Sequence, residues 1–114
     1  MTARRFQRFE HPAMQAALVA DLKRAGLDPA IDEEGSVVYS DGQAEAVVSA
    51  SHRIRDGKFR WYLLRPQDAG QAARLRALLE AAQLAYFVEH SESGTWFTVP
   101  RADQERHEEL FAQC

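Results

Sequence analysis

Apolar positions along the chain switch between two spacings, and the switches divide it into elements. Met14, Ala17, Leu18, Leu22 and Ala25 fall on one helical stripe behind Pro12, whose missing N–H costs nothing in a first turn. Gly26 ends that stripe as a left-handed cap would. Pro29 to Asp32 and Ser36 to Ser40 read as a hairpin around Glu33-Glu34-Gly35. A longer hairpin is predicted from Ala44 to Arg65, because both sides of Asp56-Gly57 alternate and that dipeptide suits a two-residue type I′ turn. After Pro66, a second helix carries Ala72, Leu75, Leu78, Leu79 and Ala82 inward. Ala85 to His90 and Thr95 to Val99 form another hairpin around Ser91-Glu92-Ser93-Gly94. Pro100 opens a last helix to about Ala112, anchored by Leu110 and Phe111. Residues 1–10 read as a loose arm or a short edge strand, with Phe6 and Phe9 as its docking groups.

The expected order is therefore α-ββββ-α-ββ-α, a single α+β domain over residues 1–114. Its antiparallel sheet, a meander plus a hairpin, carries three helices on one face. Leu18, Ala20, Leu22, Ala25 and Leu27 recur 57 positions later as Leu75, Ala77, Leu79, Ala82 and Leu84, each set just ahead of a hairpin. This reads either as an internal duplication of a helix-plus-hairpin unit or as two Ala/Leu-rich helices that align by chance.

Side chains alternate faces along a strand, so the long hairpin would separate two surfaces. Ala46, Val48, Ala50, His52, Ile54, Phe59, Trp61 and Leu63 would face the core. Ser49, Ser51, Arg53, Arg55, Lys58, Arg60 and Tyr62 would form a cationic outer face. The net charge of −3 is too small to argue for attraction of the whole molecule to nucleic acid or membrane. Its distribution is uneven: five of the fourteen Lys and Arg residues lie between Arg53 and Arg65, and acids gather at Asp28 to Glu34 and Asp103 to Glu109.

Candidate chemistry changes this picture little. His11, His52, His90 and His107 lack metal-ligand spacing, and no cofactor or metal site is predicted. His52, read as lying on the core side opposite Trp61, is the one residue around which a small enzyme or ligand site would form. Ser51 and His52 are adjacent in a presumed strand and so point to opposite faces, which excludes a nucleophile–base pair. The lone cysteine, Cys114, fits a reducing, cytoplasmic setting and a passive exposed thiol. In the strand Thr95 to Val99, Phe97 faces the core and Trp96 looks outward, as an interface aromatic would.

The stretch Leu18-Val19-Ala20-Asp21-Leu22-Lys23-Arg24-Ala25-Gly26-Leu27, followed by Asp32-Glu33-Glu34-Gly35-Ser36-Val37-Val38, resembles the opening of class I type III secretion chaperones and related small bacterial α+β proteins. The resemblance implies a small acidic dimer that holds an extended partner segment. The functional expectation is a non-enzymatic binding protein of bacterial type: a chaperone, an immunity-type inhibitor or a regulatory adaptor. Arg53, Arg55, Lys58, Arg60, Tyr62 and Trp96 would grip an acidic or extended protein partner. A nucleic-acid-binding regulator using the same Arg, Lys and Tyr face is the alternative, with affinity falling steeply with salt.

Overall fold

In a computed structural model, which describes residues 5–114, the chain is an α+β protein with a six-stranded, wholly antiparallel sheet. The strands are β1 (Arg5–Phe9), β2 (Ala30–Ile31), β3 (Val37–Tyr39), β4 (Trp61–Leu64), β5 (Phe87–Ser91) and β6 (Gly94–Pro100). The helices are α1 (Pro12–Arg24), α2 (Ala44–Asp56), α3 (Ala69–Ala81) and α4 (Gln104–Ala112). The expected class, the sheet type, three of the helices and two of the hairpins are present.

The segment Ala44–Asp56 corrects the sequence reading: it is helix α2, not a strand, so no long hairpin exists. Val47, Ala50, Ser51 and the half-buried Ile54 lie on one helical stripe, and the alternation of 46, 48, 50, 52 and 54 is incidental. Ser40 and Gln43 form a capping box just ahead, on the 3-10 turn Asp41–Gln43: the Ser40 amide donates to Gln43 Oε1 at 3.1 Å and the Gln43 amide to the Ser40 carbonyl at 2.9 Å. Gly57 has φ −73 and ends the helix, where a type I′ turn would need positive φ.

Two further expectations change. Residues 5–9 are neither a loose arm nor an edge; β1 lies inside the sheet between β3 and β5, while Met1 to Arg4 lie outside the described residues. Among the described residues the helices number four, and they cover both faces of the sheet. Phe9 and Val37 pack with α1 and α2 through Met14, Leu18, Leu22, Val47 and Ala50. Val88, Phe97 and Val99 pack with α3 and α4 through Leu75, Leu79 and Leu110. Phe9 stands opposite Glu89, the neighbour of Val88, so these two cores lie on opposite faces.

The repeat seen in the sequence is a structural duplication. Each half of the chain runs strand, helix, strand, strand, 3-10 turn, helix. Helix α3 follows α1 by 57 positions at both ends, and α4 starts 60 after α2. Strand registers match too: Arg5–Tyr39, Gln7–Val37 and Ile31–Val37 in the first unit become Tyr62–Val99, Leu64–Phe97 and Val88–Phe97 in the second. The strand order is β2-β3-β1 and then β5-β6-β4, the same in both units. Since β1 and β5 run antiparallel and the helices change face, the units are related by a half-turn about the line along which the strands stack.

Candidate partner-binding surface

Helix α2 scatters the residues that alternation had grouped. Arg53 reaches back to Asp21 of α1, with Nη2 at 2.7 Å and Nε at 3.1 Å from one carboxylate oxygen. That hydrogen bond holds the Asp21 carboxyl below its ordinary range. Arg55 turns inward and grips both oxygens of Glu89, whose carboxylate also accepts from Gln7 at 2.8 Å and from the Thr98 hydroxyl. Its guanidinium lies 5.9 Å from the Phe9 ring centre and 5.0 Å from that of Trp61. With side-chain exposures of 12% and 2%, Arg55 and Glu89 form a buried ion pair between the two units. The desolvated carboxylate is tolerated because its oxygens are fully engaged.

The other predicted residues separate as well. Tyr62 faces α4, not a cationic surface; its hydroxyl is 3.2 Å from Nδ1 of His107. His52 is exposed on α2, edge-on to Trp61 at 4.9 Å and beside Asp56, so the expected pair forms at the surface rather than in an enclosed pocket. Trp96 is half-buried under the Arg65 guanidinium at 4.9 Å, on the sheet face it shares with the fully buried Thr98. Cys114 is half-buried, with Sγ 3.5 Å from the Leu110 carbonyl. Lys58 and Arg60 are exposed in the approach to β4, and Arg65 is exposed at its end.

What remains of the basic surface therefore flanks β4, an edge strand. The Arg101 amide donates to the Arg60 carbonyl at 2.8 Å, which sets the alternation of the β4–β6 ladder. Tyr62 and Leu64 direct their N–H and C=O groups to β6; Trp61 and Leu63 direct theirs away from the sheet. Among the described residues no backbone group pairs with Trp61 or Leu63 on that outer side. The side chain of Leu63 shares a face with Trp96, since Leu63 is opposite Thr98 and alternate residues of β6 share a face. The other edge differs: β2 has two residues, preceded by Pro29 and followed by the Asp32–Gly35 turn.

A second polar cluster, with no sequence signal because its members are far apart in the chain, sits beside α3. Glu10 accepts from Arg76 at 2.8 and 2.9 Å and lies 2.5 Å from His90 Nε2, while His90 Nδ1 is 3.2 Å from the Thr95 hydroxyl. Burial pushes the Glu10 carboxyl upward, but its hydrogen bonds to Arg76 and His90 outweigh this and hold it below the ordinary value. His90, Thr95 and Arg76 border an open cavity of about 380 Å³ along the alanines of α3. These groups are one another's partners and act as a clasp from β1 to α3 and the β5–β6 hairpin.

No protein family model, curated protein or solved structure matches the chain. No helix among the described residues is long and apolar enough to cross a membrane, and no group of three or more His, Cys, Asp or Glu is placed to hold a metal ion.

Proposed function

We propose that this protein is a non-enzymatic binding module that holds an extended, acidic segment of another protein by strand addition along β4. The observation that carries the reading is the outward-facing, unpaired backbone of Trp61 and Leu63 between Arg60 and Arg65. A sheet edge of this kind supplies main-chain hydrogen bonds to an incoming strand, and alternate side chains supply selectivity. Residues of the partner on one face meet Leu63 and Trp96; acids flanking them meet Lys58, Arg60 and Arg65. Arg53 and Arg55 belong to the scaffold that positions this edge. Chaperone, inhibitor and adaptor roles all use such a grip.

A displayed library of extended peptides tests the reading. Selected binders should alternate apolar and acidic residues and should shift the Trp61 and Leu63 amide resonances. Leu63→Pro removes one outward N–H without touching the ladder to β6, and should weaken binding at least about tenfold, the loss of a strong backbone hydrogen bond. Arg60→Glu with Arg65→Glu should do the same for acidic binders. Peptides that bind Leu63→Pro as well as wild type, or salt-sensitive binding of nucleic acid in their place, overturn it.

A further inference from the structure

We infer that the same β4 edge pairs with β4 of a second copy, giving an isologous dimer with a continuous twelve-stranded sheet that an incoming partner strand must open. This rests on the strand-addition reading above and names the edge's resting occupant.

The duplication shows what this edge does when a strand is at hand. Strand β1 is the first-unit counterpart of β4, and its corresponding edge is filled antiparallel by β5. Continuing that arrangement head-to-tail would bring β2, the counterpart of β5, onto β4 of the next copy. Such continuation is open-ended, and β2 offers only Ala30 and Ile31 before Asp32-Glu33-Glu34-Gly35 turns the chain away. The two-residue β2 therefore ends the series at one side and leaves β4 bare at the other.

A two-fold axis through Tyr62 closes the bare edge. Trp61 of one copy then stands opposite Leu63 of the other, and these are the residues whose N–H and C=O groups point outward, so both pairs exchange hydrogen bonds. Arg60 faces Leu64, Arg65 faces Phe59 and Lys58 faces Pro66, so no cation opposes a cation across the joint. Trp61 and Leu63 of the two copies meet on one face and the two Tyr62 side chains on the other. A joint four residues long is small, which makes the dimer exchangeable and leaves the edge available to a partner.

Sedimentation velocity of the full chain over a wide concentration range is the test, beside cross-linking at the axis. Wild type should move from 12.9 kDa toward twice that mass as concentration rises, and Leu63→Pro should stay at the monomer mass. In a Cys114→Ser background, Tyr62→Cys should oxidise to a covalent dimer, because residues opposite each other at a non-hydrogen-bonded position lie within disulfide reach. Arg60→Cys, which faces Leu64, should not. A selected peptide should dissociate the wild-type dimer. A chain that stays monomeric, with Tyr62→Cys cross-linking no better than Arg60→Cys, overturns the dimer; if Leu63→Pro still loses the peptide, strand addition stands. A dimer that survives Leu63→Pro, or that binds peptide without dissociating, also overturns it. Should Leu63→Pro fail to fold, the two cysteine variants decide.

Discussion

The first strand–helix–hairpin–helix unit and the second share connectivity, strand order and register, yet they are finished differently. In the first, β1 is enclosed on both edges and the outer strand is cut to two residues. In the second, β5 and β6 are long and paired, and β4 is left with one open edge. Leu18 and Leu22 are buried as Leu75 and Leu79 are, so the helix–sheet packing is held in common. What varies lies at the edges, in the helix caps and at single core positions. A duplicated unit can keep its fold while one copy is used as scaffold and the other presents a surface.

The largest expected effect comes from the joint between the units. Removing one member of a buried ion pair leaves an uncompensated charge, so Arg55→Ala should cost about 3–5 kcal/mol. Arg53, two residues away on the same helix and 57% exposed at its side chain, bridges two helices of one unit. Solvent screens that pair, and Arg53→Ala should cost under about 1 kcal/mol. Urea denaturation of both variants measures the contrast. Equal losses would mean that the two units are not held together through Glu89.

The next effect separates equivalent core positions. Val47 in α2 and His107 in α4 occupy matching places, and both are almost fully buried. Burial lowers the His107 pKa below its usual 6.5, and among the described residues its Nε2 meets no hydrogen-bond partner. Below that value the unfolded chain takes up a proton that the folded chain refuses. Stability therefore falls as pH drops from the unfolded toward the folded value, by at most about 1.4 kcal/mol per pH unit for one group. The Glu10 contribution has a lower window: it is complete above the ordinary carboxylate value of 4.5 and is lost as pH falls through the depressed folded value. His107→Val, which installs the first unit's apolar type, should remove the upper phase and keep the lower one. An unchanged profile between pH 7 and 5 would show that His107 titrates freely.

The contrast between units also explains which parts were legible in the sequence. The stripes through Leu18 and Leu75, the Gly35 and Gly94 turns and the period of 57 rest on local spacing, and all three match structure. Helix α2 is masked in the sequence because Ala46, Val48, Ala50, His52 and Ile54 satisfy a period of two by accident, while Asp56-Gly57 imitates a hairpin turn. The better signal was Ser40 with Gln43, a capping box whose mates are three apart. Once that segment is helical, Arg53 and Arg55 point to different neighbours, and the grouped cationic face dissolves. Glu89 and the Glu10–Arg76–His90 clasp depend on chain-distant partners, which no local pattern contains. The open edge of β4 is equally invisible, since strand order is a property of the assembled sheet.

The smallest effect tests the duplication at one backbone position. Gly26 and Gln83 both follow a helix with positive φ, at 85 and 58 degrees. Each N–H is bonded three positions back, to Lys23 at 3.0 Å and Glu80 at 3.1 Å, and the next amides reach Leu22 and Leu79, both at 3.0 Å. The two caps are one motif, with glycine in the first unit and a residue that bears Cβ in the second. Left-handed backbone costs such a residue about 1–2 kcal/mol, whereas glycine adopts it freely. Greater freedom of glycine in the unfolded chain offsets part of the relief, so Gln83→Gly should gain about 0.5–1 kcal/mol. Gly26→Gln should lose a similar amount through φ alone, since nothing lies within 4 Å of a Cβ there. Thermal melts of the pair should move in opposite directions by a few degrees, roughly 4 °C per kcal/mol for a chain of this size. Shifts of the same sign would show that the two helix ends, alike in hydrogen bonding, are not equivalent in strain.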